Sequence, residues 1–139
     1  MIRYHYQTDF KLGEEDKYTD WILKSVSRAG RKVSGLDYIF CDDEALLEMN
    51  RNYLDHDYYT DILTFDYGTP TELKGDLFLS VDRIRDNAEQ LGVAFEEEVR
   101  RVMIHGVLHL MGYTDHSEKE KAGMRAREEE CLVLFHVKH

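Results

Sequence analysis

The sequence predicts one α/β domain, a four-stranded mixed sheet covered by about five helices. Three observations carry this expectation. Strand-like and helix-like hydrophobic periods follow one another in the order β-α-β-α-β-β-α-α-α. Strands separated by helices favour parallel neighbours in a sheet, and the two consecutive strands favour a hairpin. The 139 residues hold one proline and no repeat or linker, so residues 1–139 read as a single domain.

Each element has a local reason. Ile2-Arg3-Tyr4-His5-Tyr6 alternates, as a strand does. Glu14 to Lys32 carries Tyr18, Trp21, Ile22 and Val26 at helical spacing. Gly35 opens a second strand, Leu36 to Phe40. Asp42-Asp43-Glu44 caps and charges the start of a helix reaching about Leu54. Asp61 to Tyr67 is rich in β-formers, Gly68-Thr69-Pro70 is a turn, and Gly75 to Ser80 is the hairpin partner. Asp82 caps a helix through Leu91 that Gly92 ends. Glu96 to Met111 forms a long helix ended by Gly112. Ser117-Glu118-Lys119-Glu120 spells a capping box that opens the last helix, through Met124 and Leu132.

A hydrophobic content of 42% and a charged content of 33% are those of a soluble globular protein. The longest apolar runs, such as Cys131 to Phe135, are too short to span a bilayer, and the start lacks signal-peptide anatomy. A cytoplasmic location without membrane partners is therefore expected. Cys41 and Cys131 form no CxxC pair and read as small buried apolar residues. The net charge of −10 argues against broad, nonspecific nucleic-acid binding, while leaving room for a local basic groove. Much of the excess lies in Glu96-Glu97-Glu98 and Glu128-Glu129-Glu130, each expected on a solvated helix face.

The chemistry concentrates in residues 105–116. His105 and His109 are four apart on a helix, so both imidazoles share one face, a turn apart, and can grip one ion. Gly112 stops the helix and lets the chain turn back with a third ligand, Asp115 or His116. The frame His-x3-His-x2-Gly-x2-Asp-His has the spacing of the metzincin zinc helix, which places Asp115 at the third ligand. Ser117 with Glu120 already caps the last helix, which leaves Asp115 free to coordinate. Three convergent ligands with an open fourth position are the pattern of catalytic zinc, a stronger reading than hydrogen-bonded core histidines. The metzincin general base, a Glu directly after the first His, is replaced by Gly106, which weakens a peptidase or other amide-hydrolase reading.

His105-Gly106-x-Leu108-His109-Leu110-x-Gly112-Tyr113 resembles the signature of the YbeY family of bacterial endoribonucleases. A middle block agrees: Met49-Asn50-Arg51-Asn52-Tyr53, Asp57, Thr60 to Phe65, and Gly75 to Ser80. Order and spacing match from about residue 49 to 116. The resemblance implies a zinc-dependent, single-strand-specific endoribonuclease of small mixed α/β fold. It further implies maturation of the 16S rRNA 3′ end, ribosome quality control, and ribosomal RNA, the small ribosomal subunit and its assembly factors as partners. Two positions depart from the family pattern. The third ligand is Asp115 where the family usually has His, and Leu54 stands where it usually has an active-site Arg. Leu54 keeps a non-enzymatic reading open, a ribosome-assembly binding factor with a structural metal.

Further residues are candidates for the cleft. Asp57 is the candidate base or partner to a ligand histidine, with Asp61 and Asp76 as further carboxylates. Tyr58 and Tyr59 are better base-stacking candidates than Phe65, which strand alternation places in the core. His56 lies in a loop. Lys74, Arg83, Arg85, Arg100 and Arg101 are candidates for a basic rim.

Overall fold

The computed structural model describes residues 1–137; the last two residues of the domain assigned from the sequence, 138 and 139, lie outside the described residues. The elements are β1 (Ile2–Tyr6), α1 (Glu15–Arg28), β2 (Lys32–Cys41), α2 (Asp43–Leu54), β3 (Ile62–Asp66), β4 (Glu72–Ser80), α3 (Val81–Leu91), α4 (Phe95–Leu110) and α5 (Glu118–Phe135). The sheet runs β1-β2-β4-β3. β1 and β4 pair with β2 in parallel, and β3 closes the edge antiparallel to β4, from Ile62 opposite Leu79 to Asp66 opposite Gly75. The mixed four-stranded sheet and its five helices are those the sequence predicts.

Alternation along the strands sends side chains to two faces. Leu36, Tyr38, Phe40, Leu73, Leu77 and Leu79 join the main core with Trp21 and Ile22 of α1, Ile84 of α3 and much of α4. The intervening positions Cys41, Leu63, Phe65 and Phe78 form a smaller apolar cluster under Leu46 and Met49 of α2. The last helix is tied to the first by the Trp21 indole N–H, which donates to the Cys131 carbonyl at 2.6 Å. Cys41 is buried and Cys131 partly so. None of the helices among the described residues is long and apolar enough to cross a membrane.

Three boundaries and one cap differ from the sequence reading. α1 ends at Arg28 rather than running to Lys32, because Gly30 turns the backbone left-handed (φ +74°) and the Arg31 N–H returns to the Val26 carbonyl. β2 therefore begins at Lys32, and Gly35 is the site of a register irregularity within the strand rather than its start. β4 likewise begins at Glu72, ahead of Gly75, where it continues the pairing with β2. α3 is capped by Ser80, whose hydroxyl accepts from the Arg83 N–H at 3.1 Å, and not by Asp82. The strand runs directly into the helix there, so the cap is the last strand residue. Asp82 sits in the first turn and accepts instead from the Asp43 N–H at 3.0 Å.

Candidate metal centre

α4 buries Val99, Val102, Met103, Ile104, Val107 and Leu108 against the sheet and its neighbouring helices. That orientation leaves His105 and His109 half-buried at the helix edge, facing a cleft bounded by β3. The helix ends in a Schellman turn: the Gly112 N–H donates to the His109 carbonyl and the Tyr113 N–H to the Leu108 carbonyl. Gly112 has φ +102°, a value that a side chain would strain. The reversal carries Asp115 back over the two histidines. The capping box is present in full and fixes the far end of this loop; Glu120 accepts from the backbone N–H groups of His116 and Ser117, and Ser117 Oγ accepts from the Glu120 N–H.

The result is a tight group. His105 Nε2 and His109 Nε2 are 3.0 Å apart, and Asp115 Oδ2 lies 3.6 and 3.8 Å from them. Two donors about 2.0–2.1 Å from a tetrahedral zinc ion stand about 3.3 Å apart, so these separations suit one small cation. Burial, and next the neighbouring His105, lower the pKa of His109, which favours the neutral imidazole a metal requires; Asp115 and the Tyr113 backbone oppose that shift. Of the two alternatives for the third ligand, the structure brings Asp115 to the histidines; the His116 side chain is not part of the group.

The far side of His105 is equally constrained. Its Nδ1 lies 2.5 Å from Glu128 Oε2, on a carboxylate that is 5% exposed. An Nδ1–H donated to Glu128 leaves Nε2 with its lone pair toward Asp115 and His109. Glu128 Oε1 in turn lies 3.5 Å from Arg101, which also holds Glu98 at 2.5 Å and approaches Asp61 at 3.8 Å. Hydrogen bonding to Glu98 raises the Arg101 pKa, so the guanidinium stays charged as a bridge among three carboxylates.

This network corrects two expectations. Glu98 and Glu128 are buried (1% and 5% exposed), not members of solvated runs. Arg101 is an internal ion-pair partner and not a basic rim. The signal was in the helical register. Glu128 sits four residues after Met124 and seven before Phe135, on the stripe that α5 buries.

The cleft has a volume of about 560 Å³ and is lined by Tyr58, Thr60, Asp61, Thr64, Asp66 and the three grouped residues, among others. Asp61 lines it; burial raises its pKa while Arg101 pulls it down. Asp57 does not line it; that carboxylate is exposed and paired with Arg51 at 2.5 Å. Asp76 lies within β4 opposite Phe65 and away from the cleft lining. Phe65 packs on Phe78 and Tyr53, as alternation predicts. Leu54 is the last residue of α2 and is absent from the lining. The expected basic rim does not form there: Arg83 pairs with Asp43, Arg85 and Arg100 lie over Phe95 and Phe135, Lys74 is exposed on β4, and among the described residues the lining has neither Lys nor Arg.

Gly106 faces the sheet. A Cβ built there would lie 2.5 Å from Leu77 Cδ2 and 2.7 Å from Ile62 Cδ1. The missing metzincin Glu is thus a packing requirement, since α4 approaches β3 and β4 too closely for a side chain.

Comparison with known proteins gives a consistent result. A family model described as Endoribonuclease YbeY matches residues 4–136. An Endoribonuclease YbeY of Flavobacterium psychrophilum is 46% identical over 138 residues, spanning 99% of this chain and 99% of that protein. Its namesake in Porphyromonas gingivalis (strain ATCC 33277) is 51% identical over 115 residues, 83% of this chain and 76% of that one. A Thermotoga maritima protein solved in solution superposes with a TM-score of 0.71 at 25% identity, over 97% of this chain and 89% of that chain. The match runs through both walls of the cleft and the helices behind them, and this chain belongs to the YbeY endoribonuclease family.

Proposed function

We propose that this chain is a zinc-dependent, single-strand-specific endoribonuclease acting in 16S rRNA 3′-end maturation and ribosome quality control, in the cytoplasm. The ribosomal RNA, the small subunit and its assembly factors are its proposed partners. The observation that carries the reading is the convergence of His105, His109 and Asp115 at one cleft wall, within reach of a single ion. Family membership supplies the substrate class.

His105, His109 and Asp115 would hold the metal. A zinc ion so held supplies Lewis acidity to a water and to a phosphate oxygen, with a net positive charge that two imidazoles and one carboxylate leave in place. The chain's own groups do the rest. Glu128 keeps the His105 proton on Nδ1. Arg101 holds Glu128 in place from its other oxygen. Asp61, inside the cleft and raised by burial, is better suited than Asp57 to take a proton from an attacking water. Gly106 leaves no position for a peptidase base, which disfavours amide hydrolysis.

His109→Ala is expected to lose tight zinc binding and to lower kcat/KM on a single-stranded RNA by about a hundredfold or more. Titration calorimetry and a gel cleavage assay check both. Full cleavage by this variant in chelator would end the reading. A wild-type chain that co-sediments with small subunits yet cleaves no RNA at any metal concentration would instead make it a binding factor with a structural metal.

A further inference from the structure

Among the described residues, the exposed Tyr, Phe and Trp side chains are Tyr53, Tyr58, Tyr59 and Tyr67. All four fall between the last turn of α2 and the β3–β4 turn, a single stretch of the chain. Isolated exposed aromatics are ordinary, but confinement of every one to a stretch that borders the cleft is not. Only Tyr58 of the four lines the cleft with His105, His109 and Asp115.

Tyr58 is also built to present a flat surface. Its ring stacks on His56, with centroids 5.2 Å apart and planes inclined by 22°, and its hydroxyl meets His56 Nδ1 at 3.1 Å. The loop beneath is held from inside. Asn50, fully buried, donates from Nδ2 to the Tyr58 carbonyl at 2.9 Å, and its own carbonyl accepts from the His56 N–H at 3.0 Å. Asp55 takes the left-handed conformation that starts this loop. A ring that is 56% exposed, stacked on its neighbour and carried on a loop backbone that two hydrogen bonds tie to buried Asn50, is preorganised for a planar ligand.

We propose that the His56–Tyr58 pair is a base-stacking platform that seats one unpaired nucleobase of the RNA beside the scissile phosphate. The inference rests on the reading of the cleft as an RNA site. A nucleobase is the planar group such a substrate carries, and with neither Lys nor Arg in the lining among the described residues, the face of Tyr58 is the planar surface that the cleft offers it, beside the hydroxyls of Thr60 and Thr64. Asn50 is the positioning residue that sets the platform's height above the cleft.

The test uses the full chain and a labelled single-stranded RNA of about ten nucleotides, read by anisotropy with the oligomer's integrity checked on gels. Tyr58→Ala is expected to weaken binding by about 5- to 100-fold, and Tyr58→Phe by less than about threefold. One abasic position in the oligomer should weaken wild-type binding by a similar factor and should cost Tyr58→Ala nothing further, since both remove the same contact. Zinc affinity and thermal midpoint of Tyr58→Ala should match wild type. Equal abasic penalties in wild type and variant, with unchanged RNA affinity, would overturn the platform while leaving the endoribonuclease reading intact. Loss of small-subunit co-sedimentation with unchanged RNA affinity would overturn it in favour of a protein contact. A wild-type chain that binds no RNA would overturn both readings.

Discussion

Glu128→Ala is expected to weaken zinc binding by about 10- to 100-fold and to cost about 1–3 kcal/mol of folding stability. The carboxylate orients His105 at 2.5 Å from inside the fold, so its loss frees the imidazole to rotate or to change tautomer. Arg101 would lose one of its partners but keep Glu98 at 2.5 Å, which is why the expected cost stays below that of a fully orphaned buried charge. Glu128→Gln separates the two effects. An amide oxygen still accepts from Nδ1–H, so orientation survives in part, while the charge that strengthens the contact is gone. Zinc titration of both variants, with thermal denaturation in chelator, checks the ordering wild type, Gln, Ala. Unchanged zinc affinity in the alanine variant would show that His105 needs no support from α5.

Gly106→Glu writes the peptidase spelling His-Glu-x-x-His into this helix, and the expected outcome is an unfolded chain rather than a protease. The first side-chain atom already meets Leu77 and Ile62 within 2.7 Å, both at the sheet surface that α4 covers. Alanine alone sets a helix-propensity gain of about 1 kcal/mol against an overpacking cost of about 1–3 kcal/mol, so a modest net loss is expected. Glutamate adds an unpaired carboxylate in an apolar layer, at a cost of several kcal/mol more. Against a typical domain stability of about 5–15 kcal/mol, that is enough to abolish the native state or leave it barely populated. Circular dichroism and a casein assay decide it. A folded, zinc-loaded Gly106→Glu chain that cleaves casein would show that the helix can lift off the sheet.

Much of this structure is legible in the sequence, and the reasons are local. The capping box of α5, the hairpin, and the pair His105 and His109 follow from spacings of two to four residues, which the helix and strand periods fix without tertiary help. Asp115 follows from the glycine stop at 112. What the sequence hides depends on register or chain path. Glu98 and Glu128 stand in acidic triplets that look uniformly solvated; only their phase against Val102 and Met124 marks them as inward. Arg101 looks like a rim cation until its three carboxylates are placed around it. Asp57 and Asp61 are four residues apart in one loop, and only the course held by Asn50 shows that the second reaches the cleft and the first does not. Ser80 outranks Asp82 as a cap because β4 enters α3 without a connection, a junction that composition does not announce.

The cleft lining without lysine or arginine has a consequence for how RNA is captured. Proteins that grip nucleic acid through cations gain affinity by displacing condensed counter-ions, and those making 6–10 phosphate contacts lose about 10³–10⁵ in affinity between about 50 and 200 mM salt. This chain, with a net charge of −10, has little to displace them with at the cleft. RNA affinity is expected to change by less than about tenfold over that range, as an anisotropy series in potassium chloride would read. Long-range attraction is likewise missing, and at a net charge of −10 like-charge repulsion slows the approach of free strands, so their hold at the cleft is set by the contacts of single nucleotides.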